Sequence, residues 1–116
     1  MCPIESSRLT LRSFRPEDAD DLFEYLSDES VYRFEPGSPV TRKEARRIAA
    51  ERASGNEFIA VELTAEAKMI GHVYIGHVQP EEFSTYEIGY VFNPRYQNQG
   101  YATEAVRAIV NRIFAE

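Results

Sequence analysis

The stretch Tyr86 to Thr103, YEIGYVFNPRYQNQGYAT, changes its period in the middle, and that change constrains the fold more than any other feature. Tyr86, Ile88, Tyr90 and Phe92 alternate with Glu87, Gly89, Val91 and Asn93, a period of two that reads as a strand. Asn93-Pro94 stops it. Gln97-Asn98-Gln99-Gly100 then forms a polar loop. From Ala102 the apolar residues Ala105, Val106, Ile109, Val110, Ile113 and Phe114 recur at helical steps, which predicts a helix with one buried face. The unit is a strand, a polar glycine turn and a helix.

The first turn of a helix carries backbone N–H groups without intrahelical partners and the positive end of the helix dipole. Such an end accepts phosphate or pyrophosphate. Gly100 lets backbone come close to a ligand because it has no Cβ, and the small Ala102 keeps the approach open. A P-loop lysine is absent and GxGxxG is not matched, so neither nucleotide fingerprint applies.

With 116 residues, 43% of them hydrophobic, the chain reads as one domain over residues 1–116 with enough apolar content for a core. The net charge of −6 comes from 13 basic and 19 acidic residues. It argues against a nucleic-acid surface and mildly favours a cationic substrate. The single cysteine, Cys2, fits a reducing compartment. No apolar run is long enough to span a bilayer, and MCPIESSR lacks the regions of a secretion signal. The cytoplasm, with no membrane partner, is the expected location.

In chain order, Arg8 to Phe14 alternates as a first strand, and Arg15-Pro16-Glu17-Asp18 starts a helix whose inner face is Ala19, Leu22, Phe23 and Leu26. Val31 to Val40, with Pro36, Gly37 and Pro39, reads as a loop. Thr41-x-x-Glu44 is a capping box for a helix from Arg42 to about Ala53. Glu57 to Leu63 and Met69 to Val78 are strands joined by a turn at Thr64 to Lys68; a second turn at Gln79 to Glu82 leads to the strand Thr85 to Phe92. The glycines of the Met69 to Val78 strand suggest a bulge or the close approach of another backbone. The order β-α-α-β-β-β-α predicts an α+β fold: a mostly antiparallel sheet of about four strands with three helices.

Gln97-x-x-Gly100-x-Ala102, placed after a strand and opening a helix, resembles the acyl-CoA loop Q/R-x-x-G-x-G/A of the GNAT superfamily of N-acetyltransferases. The run GYVFNPRYQNQGYATEAV and the opening RLTLRSFRPEDADDL are similar to the RimJ/RimL-like branch, which acetylates protein N-termini or small-molecule amines. The resemblance implies a three-layer fold, acetyl-CoA as acyl donor without a metal, and a primary amine as acceptor. It implies that the backbone of Val91 and Phe92 holds the pantetheine arm, and that the N–H groups of Gln97, Asn98, Gln99, Gly100, Tyr101, Ala102 and Thr103 hold the pyrophosphate. Gln97 and Gln99 are neutral where many relatives carry a cation, so affinity for CoA is expected to be modest. The region of the first two helices would form one wall of the acceptor groove. The alternative for Arg42, Lys43, Arg46, Arg47 and Arg52 is a solvated basic face.

Amide formation also needs a deprotonated amine and a proton for the departing thiolate. Glu87 is the candidate base because it shares the strand that would hold the thioester; an exposed glutamate or a cross-strand ion pair is the alternative. His72 and His77 follow, since histidine titrates near neutrality, although a strand histidine also serves structural ends. In the family the thiolate is usually protonated by a tyrosine on a later helix, whereas this sequence ends at Glu116 inside the amphipathic pattern. The resemblance thus predicts the first two-thirds of the family's domain, without the C-terminal strands and helix. Such a chain would expose a strand edge and associate as a homodimer or swapped assembly. A non-catalytic CoA-binding or dimerisation fragment is the second reading.

Overall fold

The computed structural model describes residues 3–33, 35–78 and 85–114, and at 77, 78, 85, 86, 113 and 114 the backbone alone. Cys2 and the turn expected at Gln79 to Glu82 lie outside these residues. The strands are β1 (Ile4–Glu5), β2 (Leu9–Ser13), β3 (Phe58–Leu63), β4 (Lys68–Val78) and β5 (Thr85–Phe92). The helices are α1 (Ala19–Leu26), α2 (Arg42–Ala53) and α3 (Tyr101–Phe114). The sheet runs β1-β2-β3-β4-β5 with every neighbour antiparallel.

It has five strands rather than about four. The addition, β1, is two residues long and pairs Ile4 with Leu11 and Glu5 with Thr10, too short to show an alternation. Pro16–Asp18 form a 3-10 turn ahead of α1 instead of opening it. The Asp18 carboxylate is drawn inward there, accepting from both terminal nitrogens of Arg12 at 2.9 and 2.8 Å and from the Arg15 amide at 2.8 Å. Another 3-10 segment, Glu29–Arg33, begins the expected loop. The capping box of α2 forms as read: the Glu44 amide donates to Thr41 Oγ1 and the Thr41 amide to Glu44 Oε1.

Two apolar layers sandwich the sheet. On one side Ala105 and Ile109 of α3 pack on Leu9, Leu11, Ile59, Val61, Ile70, Val73 and Phe92. On the other, Leu22, Tyr25 and Leu26 of α1 and Ala49 of α2 cover Phe14, Ala60 and Met69, with Val91 at the margin. The face that each β4 residue presents depends on one irregularity. Val61 pairs with Gly71 but Glu62 pairs with Met69, so Ile70 is an extra residue. A bulge of this kind inverts the alternation beyond it.

The bulge is held from two sides. Asp21 of α1 accepts from the Met69 amide at 3.0 Å, and the Asn93 amide, just past β5, donates to the Ile70 carbonyl at 2.8 Å. Gly71 is required here. A Cβ on it would lie 2.7 Å from the Val91 carbonyl oxygen and 2.7 Å from the Phe92 ring, so the expected close approach is that of β5.

After the bulge, His72 faces α1. It is buried, its Nδ1 lies 2.6 Å from the Tyr25 hydroxyl, and the rings of Phe14 and Phe58 stand against it. Burial, reinforced by the Arg52 charge, holds its pKa well below the usual histidine value, and burial raises that of Tyr25. Both groups are therefore neutral at pH 7.

Two outcomes follow from this packing. Gly71→Ala is expected to lower the unfolding free energy by about 1–3 kcal/mol, read by denaturant titration. His72 is unprotonated in the native state, whereas an unfolded histidine takes a proton below about pH 6.5. Its contribution is present above that pH and is lost as pH falls toward the depressed native value. Stability should decline between about pH 6.5 and 5 by up to about 1.4 kcal/mol per unit, and His72→Gln should flatten that slope.

Candidate functional site

β5 pairs with β4 alone among the described residues, so one side of its backbone is free of ladder bonds. Two clefts open along this edge. One, of about 770 Å³, runs from Gly89, Tyr90, Val91 and Phe92 to Gln97, Asn98, Gly100, Tyr101, Ala102 and Thr103, with Arg33 opposite. The other, of about 560 Å³, lies between the sheet and α2 and is bounded by Arg52, Phe58, His72, Tyr74 and Glu87. They meet at Val31, Glu35, Gly89, Tyr90 and Val91.

The loop that closes the first cleft has a defined backbone. Asn98 has φ +63° and Gly100 φ +82°, left-handed positions that asparagine tolerates and glycine takes freely. The Gly100 carbonyl accepts from the Glu104 amide at 3.0 Å, which makes Gly100 the residue ahead of α3. The N–H groups of Tyr101, Ala102 and Thr103 occupy the first turn, where helix geometry provides no acceptor. Asn93 sets where the loop begins. Its side chain accepts from the Arg95 amide and donates to Glu24, starting a 3-10 turn at Pro94–Tyr96.

Arg8 steadies the loop from β2's side. Its Nη1 donates to the Gln99 carbonyl at 2.9 Å, its Nε to Glu104 at 2.7 Å, and its guanidinium stands 4.4 Å over the Tyr101 ring. Burial alone would raise the pKa of Glu104, but hydrogen bonds from Ser6 and Arg8 hold it below the usual carboxylate value. The Arg8 guanidinium, with Nη2 3.4 Å from where a Gly100 Cβ would stand, brings a positive group to a loop whose own side chains are neutral. Its distance in sequence hid this.

Apart from the two histidines, the sequence singles out ten residues, and the structure brings nine of them to the first cleft or the loop beneath it: Val91, Phe92, Gln97, Asn98, Gln99, Gly100, Tyr101, Ala102 and Thr103. The Phe92 carbonyl is engaged at 3.4 Å by the Gln97 side chain. The tenth, Glu87, lines the second cleft, on the strand face shared with Val91 and His72. It is exposed, and the residue across from it on β4 is Gly76. No described residue forms an ion pair with it, so the cross-strand pair is not made. His72 lines the same cleft but is spoken for by Tyr25, and its low basicity suits it to the floor rather than to proton transfer. The His77 side chain lies outside the described residues.

Sequence reasoning missed Gly89 and left Arg52 open between a groove wall and a solvated face. Gly89 sits where the clefts join, and a Cβ there would meet nothing within 4 Å. A glycine inside a strand was the available signal. Arg52 does not belong to a solvated face. Its guanidinium lies 3.8 Å from the Phe58 ring centre and 5.3 Å from that of Phe14.

Comparison with known proteins agrees with this geometry. Residues 8–116 match the acetyltransferase (GNAT) domain family. The chain is 39% identical over 114 residues to the uncharacterised N-acetyltransferase YnaD of Bacillus subtilis (strain 168), covering 97% of this chain and 66% of that protein. A GNAT-family acetyltransferase of Bacillus anthracis superposes with a TM-score of 0.88 at 34% identity, over 97% of this chain and 66% of its own. RimL, a ribosomal L7/L12 α-N-protein acetyltransferase whose structure contains coenzyme A, shares the fold with a TM-score of 0.76 at 16% identity, over 95% of this chain and 66% of its own. The chain thus spans just under two-thirds of the length of these relatives. By its matched residues and its strand, loop and helix around Gly100, it belongs to the GNAT acetyltransferase family.

Proposed function

We propose that this chain forms one acyl-CoA N-acyltransferase unit that moves an acetyl group from acetyl-CoA to a primary amine, in the manner of the RimJ/RimL-like branch and in the cytoplasm. The observation that carries the proposal is the meeting of two clefts on the free edge of β5 at Gly89, Tyr90 and Val91. A donor in one and an acceptor in the other come together there.

Acetyl-CoA, when bound, supplies the activated acetyl group. The residues present fit it. Gly100 has the positive φ that lets the loop close without a side chain in the way, and the first turn of α3 offers N–H groups to a pyrophosphate. Arg33 adds a cation to the cleft wall. The free edge of β5 along Gly89 to Phe92 offers backbone groups to an amide-bearing arm, in the way an added strand pairs with a sheet edge.

Glu87 receives the acceptor. Its carboxylate attracts the ammonium form and takes the proton, directly or through one water, so that nitrogen presents a lone pair to the thioester carbon. His72 and Tyr25, neutral and mutually hydrogen-bonded beneath the cleft, keep Val91 and Glu87 over a rigid floor. Tyr90, half-exposed at the junction, shields the reacting groups from bulk water.

Calorimetry with CoA tests the donor side. The wild-type chain should bind, and Gly100→Asp, which places a carboxylate in the pyrophosphate path, should weaken binding at least about tenfold, roughly the effect of 1.4 kcal/mol. Turnover with a panel of primary amines tests the acceptor side. Glu87→Gln should lower kcat/KM on the order of 100-fold or more with CoA affinity unchanged. CoA binding without turnover on any amine would leave a CoA-binding module.

A further inference from the structure

The acceptor cleft holds a positive charge that the fold does not neutralise. Arg52 stands in the last turn of α2, and among the described residues it forms no ion pair. Its Nη1 is sealed from solvent without a hydrogen-bond partner, an uncommon state for a guanidinium nitrogen, because a buried donor normally finds an acceptor. The group is supported by π faces, Phe58 at 3.8 Å and Phe14 at 5.3 Å. Rings stabilise a cation but take no hydrogen bonds from the in-plane N–H groups. Burial lowers its pKa from the ordinary arginine value, as expected for a charge awaiting a counter-ion.

Three other arginines of this region have carboxylate partners within the fold. Arg47 pairs with Glu51, Arg42 with Asp20, and Arg12 with Asp18 and Glu62. Arg52 alone among these four both lines the 560 Å³ cleft and lacks a carboxylate. The same cleft is lined by Glu35 and Glu87 and by the apolar and aromatic side chains of Ile48, Phe58 and Tyr74.

We propose that Arg52 is the carboxylate-recognition residue of the acceptor cleft, and that the acceptor is a zwitterionic amine with an apolar or aromatic body, an α-amino acid of the phenylalanine or leucine class. The inference rests on the reading that this cleft takes the acceptor. A carboxylate forms charge-assisted hydrogen bonds with a guanidinium that a neutral amide does not match, and Arg52 lines this cleft. The ammonium of the same molecule then faces Glu87, the apolar side chain occupies the aromatic wall, and each charge in the cleft gains a counter-charge.

The test compares L-phenylalanine, L-phenylalaninamide and 2-phenylethylamine as acceptors and, separately, as ligands in calorimetry with CoA present. The wild-type chain should prefer L-phenylalanine over the other two by at least about tenfold in kcat/KM and in affinity, the scale of one charge-assisted bond. Arg52→Gln should bring both ratios close to one, while Arg52→Lys should keep part of the preference. A structural role alone would reduce all three acceptors equally, so equal losses in Arg52→Gln overturn the proposal. Equal wild-type rates also overturn it, and equal rates for L-phenylalanine and its amide would point to a peptide N-terminus. Discrimination in binding without turnover would uphold Arg52 and count against catalysis. Turnover of 2-phenylethylamine as fast as of L-phenylalanine would uphold catalysis and count against Arg52.

Discussion

One extra residue in β4, Ile70, decides how the two halves of this molecule face each other. The bulge keeps Ile70 and Gly71 on the α3 side and turns His72 toward α1. With regular pairing the next residues would point the other way, and a histidine would lie against an aliphatic layer. Because β5 is in register with β4, the bulge also sets the face of Val91, opposite His72, and of Glu87, opposite Gly76. The amide and carbonyl released at the irregularity are taken by Asp21 and Asn93, so that α1 and the end of β5 are both anchored to it. Groups buried without such partners would cost about 1–3 kcal/mol each.

From that anchor the site is assembled by short connections. Asn93 ends β5 and starts the turn at Pro94; Tyr96 and Gln97 lead into the loop; Gly100 starts α3. Glu24 ties this turn to the body of the sheet, since it meets Asn93, Lys68 and Arg95 together. The Lys68 contact most strongly holds the pKa of Glu24 below the usual carboxylate value, against the opposing effect of burial. A loop held at its base by Asn93, at its flank by Arg8 and at its end by a fourteen-residue helix is preorganised, which lowers the ordering cost of binding a flexible donor.

Much of this was legible in the chain itself. The alternation from Tyr86 to Phe92 and the helical steps after Ala102 are strong local signals, and the capping box at Thr41 and Glu44 formed with both its bonds. What stayed hidden depends on residues far apart. The two residues of β1 carry no period. Asp18 reads as a helix-opening acid until Arg12 turns out to reach it, which leaves a 3-10 turn in its place. Arg52 shares a helix with four other cations, and only the position of Phe58 after the turn shows that it points inward. Glycine in β4 signalled a bulge or a close contact; Gly71 makes the close contact beside the bulge at Ile70, yet the sequence alone does not say which side of the strand each later residue takes.

The central claim is that the edge of β5 and the loop before α3 form the donor site, a claim best tested by backbone hydrogen exchange with and without CoA. Slowed exchange at Val91, Phe92 and across residues 97–103, with little change in β1 and β2, is the result the geometry predicts. Protection confined to other segments, with residues 97–103 exchanging as before, would place the ligand elsewhere and contradict it.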